Sequence, residues 1–169
     1  MKMMISNDWI AGFVDGEGCF SICIQKRRNY HTYTPKDFIL YLCFKIRLHS
    51  DDVHALEEIN RVLGVGNVSI SSKVAQYAVY NLEDCIFLSD FFKDKLFTKK
   101  RKDFELWCEA LEIFNTRKHR TKNGFLEITK IRDLMNVDSS KKHKNYRSSE
   151  WFISYFRANP QMQVHRLKT

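Results

Sequence analysis

The sequence predicts an α+β domain with the element order αββαββα and further helices at its C-terminal end. Two segments alternate apolar and polar residues with a period of two, which is typical of half-buried strands. Several later segments repeat apolar residues at helical spacing instead. With only 6 Gly and 2 Pro, the chain has no flexible linker that would divide it. Residues 1–169 are therefore expected to form one domain, whose antiparallel sheet has one covered face and one open, polar face.

The first predicted element is a short helix over residues 7–15. Either Ser6 or Asn7 can cap it, because a short polar side chain accepts a hydrogen bond from the first helical turn. The glycines Gly16 and Gly18 are expected to end it.

Two alternating strands follow this helix. The first begins at Cys19 and places Phe20, Ile22 and Ile24 on one side. The second alternates over residues 38–46, and its outward residues are predicted to be Tyr41, Cys43, Lys45 and Arg47. Both strands therefore offer a polar or basic outer face.

The remaining part of the αββαββα core repeats this pattern. A helix over residues 53–63 is expected to end at Gly64. Two short strands over 67–71 and 76–81 enclose a turn, and a helix over about 83–95 follows them.

Three more helices are predicted at the C-terminal end. One starts near Lys100 and has an apolar stripe on one face, formed by Phe104, Trp107, Cys108, Leu111 and Phe114. Apolar residues at helical spacing predict a second helix over 125–135 and a third over 151–156. A loop rich in Ser and Lys, residues 138–149, separates these two helices.

Composition excludes several classes of protein. Aromatic residues make up 14% of the chain, which argues against disorder over most of its length. No apolar run approaches the length of about 20 residues that a membrane span needs, so a soluble intracellular protein without membrane contact is expected, its compartment unknown. The five cysteines include no C-x-x-C pair, which favours reduced, mostly structural thiols.

The net charge of +8 is unevenly distributed along the chain. Residues 1–98 hold 11 basic and 12 acidic side chains, whereas residues 99–169 hold 17 and 8. Basic clusters that converge on one face bind phosphates with release of counterions, so nucleic acid is the favoured partner. The alternative is that these clusters are solvated faces that keep the protein soluble.

The segment from Trp9 to Gly18, WIAGFVDGEG, is the hardest to explain by packing alone. Glycine inside a helix costs roughly 0.5–1 kcal/mol relative to alanine, and close approach of a second backbone would explain Gly12 and Gly16. Asp15 and Glu17 lie at the end of the helix where the dipole disfavours negative charge, which indicates a bound ion. The alternative is a helix with a glycine C-cap and two exposed acids.

This ten-residue segment closely resembles the LAGLIDADG motif of homing endonucleases. The resemblance extends through residues 63–66 (LGVG) and 96–100 (LFTKK) and covers most of the chain. Only one copy of the motif is present, and family members with one copy act as homodimers. The resemblance therefore implies that two motif helices pack at a twofold axis. The residues predicted at this interface are Ile10, Ala11, Gly12, Phe13, Asp15 and Gly16.

The resemblance implies an activity as well: intron homing by site-specific hydrolysis of double-stranded DNA at a long pseudo-palindromic target. Glu17 is then a catalytic, metal-binding carboxylate, and Gly16 is a further metal contact. The implied cofactor is Mg²⁺, with Mn²⁺ able to substitute. Lys99 matches the basic residue near the scissile phosphate, with Lys100 as its neighbouring alternative, and Asp15 would cap or brace the partner helix.

The resemblance also makes the outer face of the sheet a DNA-reading surface, since a two-stranded ribbon fits a major groove. The residues predicted to bind DNA are Ser21, Gln25, Arg27, Arg28, Tyr41, Lys45, Arg47, Ser69, Ser71, Lys73, Gln76, Lys141, Lys142 and Lys144. Lys73 and the lysines of the 138–149 loop, together with Arg147, are expected to contact phosphates without reading sequence.

One position departs from the family pattern. Related proteins commonly have a polar residue such as glutamine at the end of the second strand, where this sequence has Leu48. Either Arg47 or His49 substitutes for it, or the site is altered. Two alternatives accompany the nuclease hypothesis. One is an RNA-binding intron maturase, because some members of the family that this chain resembles assist splicing. The other is a DNA-binding module that does not cut, which Leu48 favours.

Overall fold

The computed structural model describes residues 5–26, 38–135 and 146–160. The helices are α1 (Asn7–Glu17), α2 (Val53–Leu63), α3 (Leu82–Phe92), α4 (Lys100–Asn115), α5 (Lys122–Leu134) and α6 (Ser149–Ala158). The strands are β1 (Gly18–Lys26), β2 (Phe38–His49), β3 (Asn67–Ser71) and β4 (Val74–Val79). The α+β class and the predicted αββαββα order with additional C-terminal helices are confirmed.

The four strands form one sheet in the order β1-β2-β4-β3. β4 pairs antiparallel with both β2 and β3. Successive side chains of a strand point to opposite faces. In β2 this alternation buries Phe44 and Ile46 while Lys45 and Arg47 belong to the opposite, outer face. The outer face continues across the sheet, because Arg47 lies opposite Gln76 of β4, which in turn lies opposite Ser69 of β3.

The chain groups into two compact units. The first comprises Met1–Ser21 and Leu42–Glu105, and the second comprises Ile22–Tyr41 and Leu106–Thr169. The prediction of a single domain over residues 1–169 stays a prediction. No helix in the described part of the chain is both long and apolar enough to cross a bilayer.

Each unit has its own aromatic core. In the first unit the Phe20 ring lies 4.9 Å from Phe44 and 5.1 Å from Phe104, measured between ring centroids. In the second unit Phe152 lies 5.1 Å from Phe38 and 5.2 Å from Phe125. Offset and edge-on ring pairs of this kind stabilise a core beyond their buried area.

Several element boundaries differ from the sequence prediction. α1 continues through Gly16 to Glu17, and its true end is fixed by Gly18, where a Cβ atom would lie 2.7 Å from the Val14 carbonyl oxygen. α3 ends at Phe92 instead of Lys95, before a turn in which Asp94 has a φ of 60°. Two short 3₁₀ turns, Ser50–Asp52 and Lys118–Arg120, were not predicted.

The prediction was wrong for one residue of the outer face, Cys43, which is not accessible to solvent. Cys43 is fully buried, because its short side chain is flanked on the same face by the longer Tyr41 and Lys45.

All five cysteines are free thiols, as predicted. Burial raises the pKa of the Cys85 thiol to about 12, helped by the nearby Asp84 carboxylate, so Cys85 stays protonated.

We expect Gly124→Ala in the first turn of α5 to destabilise the protein. A Cβ at Gly124 would lie 2.1 Å from the Lys118 carbonyl oxygen, so backbone must shift to accept it. Overpacking of this kind costs roughly 1–3 kcal/mol or more, measurable by urea unfolding. Asn123→Ala at the adjacent exposed position is the control and should stay within about 0.5 kcal/mol of the wild type. Equal stability of the two variants would contradict this packing.

Candidate functional site

The helix α1 has two faces with different environments. Its start is capped by Ser6, whose Oγ accepts a hydrogen bond of 3.1 Å from the Trp9 amide. Its buried face consists of Ile10, Ala11 and Val14. Its opposite face, which we call the exposed face of α1, follows the i, i+3, i+4, i+7 spacing and consists of Trp9, Gly12, Phe13 and Gly16.

The two glycines of the exposed face are not required by the chain itself. Among the described residues, a Cβ atom at Gly12 or Gly16 would meet no heavy atom within 4 Å beyond the neighbouring backbone of its own helix. Alanine at either position would therefore fit this chain and would favour the helix by roughly 0.5–1 kcal/mol. Packing within the described part of the chain therefore does not require glycine at either position.

This geometry divides the residues predicted at the interface between two sides of α1, and the interface itself stays a prediction. Ile10 and Ala11 are buried against the core of their own chain, because they lie on the opposite side of α1 from Gly12. Trp9, which the sequence analysis left out, lies on the exposed face with 43% of its surface accessible. Its ring stacks on Phe13 with the centroids 4.9 Å apart. The i+4 spacing of two aromatic residues is the signal that could have identified it.

The end of α1 is tied to the start of α4 by one carboxylate. Asp15 accepts hydrogen bonds from the amide of Phe97 at 3.3 Å and from the amide of Thr98 at 3.1 Å. The Thr98 hydroxyl donates to the same carboxylate at 3.0 Å. Thr98 Oγ1 in turn accepts from the Lys100 amide at 3.2 Å and so caps the first turn of α4. We refer to this set of bonds as the Asp15 junction.

Both predicted catalytic residues lie next to the Asp15 junction in the sequence, and their catalytic role stays a prediction. Glu17 is the last residue of α1, two positions after Asp15, and it is exposed. Lys99 directly follows Thr98 and is also exposed. The carboxylate of Asp15 thus makes hydrogen bonds within its own chain, and the role at the partner helix that the resemblance implies stays a prediction.

The outer face of the sheet in the first unit is polar and partly pre-arranged. Arg47 Nε donates a hydrogen bond of 2.8 Å to Gln76 Oε1. Lys45 Nζ lies 5.2 Å from the centroid of the Tyr80 ring. The remaining predicted DNA contacts of this unit are exposed or half-buried: Ser21, Ser69, Ser71 and Lys73.

In the second unit, the predicted DNA contacts Gln25 and Tyr41 are joined directly. Gln25 Nε2 donates a hydrogen bond of 2.9 Å to the Tyr41 hydroxyl. Arg147, expected to contact phosphate, instead packs its guanidinium over the Trp151 ring, 4.5 Å from the centroid, and near Phe38. These cation–π contacts stabilise the packing of this unit, and the expected contact of Arg147 with phosphate stays a prediction. The predicted contacts outside the described residues are Arg27, Arg28, Lys141, Lys142 and Lys144.

The structure places Leu48 on the side of the sheet that faces the core. Leu48 lies opposite Ala75 and alternates with Arg47 and His49, which belong to the outer face. His49 accepts a hydrogen bond from the Asp51 amide at its ring Nδ1, 3.4 Å away, and so caps the 3₁₀ turn that follows β2. Within the described residues, both polar neighbours of Leu48 therefore already have partners, Gln76 for Arg47 and Asp51 for His49.

The donor atoms available to a metal near Glu17 are hard oxygens. The Glu17 carboxylate is exposed, and the backbone carbonyl of Gly16 lies in the last turn of α1, where carbonyls lack helical partners. Among the described residues, no group of three or more His, Cys, Asp or Glu side chains could hold a metal by itself. The described side chains alone therefore do not complete a metal site around Glu17.

The fold and the motif helix define a class of protein. Residues 10–111 match the family model described as LAGLIDADG endonuclease, so the chain belongs to the LAGLIDADG endonuclease family. It is 28% identical over 142 residues to the probable intron-encoded endonuclease 3 of Neurospora crassa. That alignment covers 79% of this chain but only 25% of the Neurospora protein.

Solved structures of homing endonucleases share the fold. The homing endonuclease I-TnaI is 25% identical with a TM-score of 0.76, and the match covers 92% of this chain and all of that chain. The meganuclease I-AabMI, solved bound to uncleaved DNA, is 29% identical with a TM-score of 0.70. Here the match covers 96% of this chain and 51% of that chain.

We expect Asp15→Ala to loosen the junction between α1 and α4. The substitution removes the acceptor for the Phe97 and Thr98 amides, and loss of hydrogen bonds to a charged group costs about 1–3 kcal/mol. Hydrogen exchange at these two amides should accelerate, and urea unfolding should shift accordingly. Asp8→Ala, in the first turn of the same helix, is the matched control and should leave both amides protected as in the wild type. Unchanged exchange in Asp15→Ala would contradict the junction.

Proposed function

We propose that this protein is a site-specific, metal-dependent double-strand DNA endonuclease that acts as a homodimer. The observation that supports the proposal is the Asp15 junction, which ties the last turn of α1, ending in Glu17, to the segment that bears Lys99. A carboxylate and a lysine held by rigid elements provide the charges that phosphodiester hydrolysis requires. Membership of the LAGLIDADG endonuclease family supports this activity.

A second copy of this chain is the proposed occupant of the exposed face of α1. Gly12 and Gly16 leave that face open, so two such helices can approach closely about a twofold axis. The match to the whole of I-TnaI and to half of I-AabMI supports a functional unit that contains two copies of this fold. Such a dimer would carry twice the charge of +8, which favours a polyanionic partner.

Glu17 and the Gly16 carbonyl are the groups that would hold Mg²⁺, with one set from each subunit and water completing the shell. Mn²⁺ offers similar oxygen chemistry and is expected to substitute. When bound, the metal would polarise the phosphate and lower the pKa of an attacking water. Lys99 would stabilise the negative charge that develops at the phosphate.

The outer face of the sheet would hold the DNA duplex in register with this centre. Outward side chains on narrow β-ribbons can read base edges in a major groove, and basic residues at the turns contact phosphates. One subunit would read each half of a long pseudo-palindromic target, because the dimer is symmetric. I-AabMI and I-GzeII were both solved in complex with DNA, which supports a duplex as the substrate.

DNA binding without cutting is the second candidate function, and Leu48 favours it. The position where relatives commonly place a polar residue faces the core here, and His49 and Arg47 each already have a partner within the described residues. If no side chain at this position orders the attacking water, the protein would bind its DNA target without cutting it. The intron maturase, with intron RNA as its partner, stays a prediction.

We expect Glu17→Gln to abolish cutting and to preserve binding. The substitution removes the metal-binding charge, and since loss of supporting residues alone costs 10- to 100-fold at metal sites, a fall of more than about 100-fold is expected. A plasmid library incubated with Mg²⁺ and sequenced for new ends measures cutting, and EDTA should remove all signal. Glu109→Gln, an exposed residue of α4, is the control and should cut like the wild type. Binding by the wild type without any new ends would support the non-cutting module instead.

We expect Gly12→Leu to dissociate the dimer and leave each subunit folded. The position is open in the single chain, so leucine fits the monomer, but its side chain would hold the two helices apart. Analytical ultracentrifugation should show a shift towards monomer, and the helical circular dichroism should persist. Asp90→Leu adds the same side chain to the exposed surface of α3 and should remain dimeric. A Gly12→Leu dimer as stable as the wild type would rule out this interface.

A further inference from the structure

We propose that Arg47 reads a guanine in each half of the target and that Gln76 is the residue that positions it. The inference rests on the proposed function, since it requires that the outer face of the sheet meet a DNA duplex. It is carried by the side-chain hydrogen bond between these two residues and by their place in the strand register.

The pair spans two neighbouring strands on the outer face. Arg47 of β2 lies directly opposite Gln76 of β4, and Arg47 Nε donates to Gln76 Oε1 at 2.8 Å. The guanidinium has donors and no acceptor, so the amide of Gln76 must present its oxygen to it. Arg47 is exposed and Gln76 is half-buried, so the glutamine side chain supports the arginine side chain from below.

This bond selects one way for Arg47 to contact DNA. A side-on contact of a guanidinium uses its Nε–H group, and the Nε–H of Arg47 already donates a hydrogen bond to Gln76. The remaining bidentate edge is the pair of terminal nitrogens, Nη1 and Nη2. Two parallel donors match the O6 and N7 acceptors that guanine presents in the major groove. No other base offers two acceptors at this spacing there, so the predicted preference is for guanine.

The same bond removes Gln76 from direct reading. A glutamine that reads adenine accepts from N6 with its oxygen and donates to N7 with its nitrogen. The oxygen of Gln76 is instead turned along the sheet towards Arg47. Gln76 is therefore a positioning residue, and the pair contributes one base preference where two independent residues would contribute two.

Arg47 is also distinct among the strand residues that the structure describes, because it is the only arginine among them. Lys45, two residues earlier on the same face, places its ammonium over the Tyr80 ring. An ammonium is a point charge without the planar fork of a guanidinium. Lys45 is thus suited to general attraction of the duplex and provides a matched control for loss of charge.

The test is selection of bound duplexes from a randomised DNA library, sequenced for the wild type and its variants. EDTA is present so that cutting does not deplete the pool. The wild type should select guanine at one position of each half-site. Arg47→Ala should lower that discrimination about 10- to 100-fold at this position only, and Arg47→Gln should move the preference towards adenine. Lys45→Gln should weaken binding to all duplexes and keep the guanine preference.

The positioning role of Gln76 is tested in the same selection. Gln76→Ala should weaken the preference at the same base pair several-fold, because the arginine loses its support. Gln76→Glu keeps an acceptor for Arg47 Nε and should restore the preference, with lower affinity for all DNA because a negative charge is added. If Gln76→Ala changed a different base pair, Gln76 would be a reader in its own right and the assignment would be overturned.

The outcomes separate this inference from the proposed function. A wild type that selects a long target while Arg47→Ala keeps every base preference would overturn the guanine assignment alone. A wild type that selects no sequence would overturn the proposed function and this assignment together. Unchanged thermal unfolding of the variants would show that the effects arise at the DNA surface.

Discussion

The carboxylate of Asp15 joins the end of α1 to the start of α4. Asp15 binds the Phe97 and Thr98 amides across more than 80 residues of chain, so the last turn of α1 and the first turn of α4 are fixed to each other. Hydrogen bonds to an ionised acceptor are roughly twice as strong as neutral ones. Glu17 and Lys99, the two residues proposed to act in catalysis, each lie within two residues of this junction, so it restrains the backbone that carries both of them. Catalytic groups need that rigidity, because small displacements of reacting charges lower rates greatly.

Much of this architecture is readable from local sequence patterns. The period-two alternation predicted the sheet, and the glycine after residue 63 ended α2 as expected, with a left-handed φ of 69°. The Asp15 junction was not predictable, because hydrogen bonds between residues so distant in sequence leave no periodic signal. The burial of Cys43 was missed for a related reason. Alternation identifies the face of the strand on which a residue lies, but neighbouring side chains on that face determine how much of the residue is accessible to solvent.

The motif located the candidate site in the sequence, and the structure shows the surroundings of its residues. The motif identified the helix that ends in Glu17, yet it could not tell which side of that helix the chain itself uses. The structure resolves this, because Ile10 and Ala11 are buried while Trp9 and Gly12 are exposed. On the sheet, sequence identified Arg47 and Gln76 as donors, and only the register revealed that they act as a pair.

Three departures from ordinary helix preference meet at the Asp15 junction. α1 carries two interior glycines that its own chain does not need, and it ends in acidic residues where its dipole is negative. α4 begins among the basic residues 99–102, at the end where its dipole is positive. Each departure weakens a helix. The carboxylate of Asp15 lies at the N-terminus of α4 and so offsets part of the unfavourable positive charge there. Sequences are locally consistent with their fold except where function demands otherwise. The convergence of all three at one junction is therefore stronger evidence for a functional centre than any of them alone.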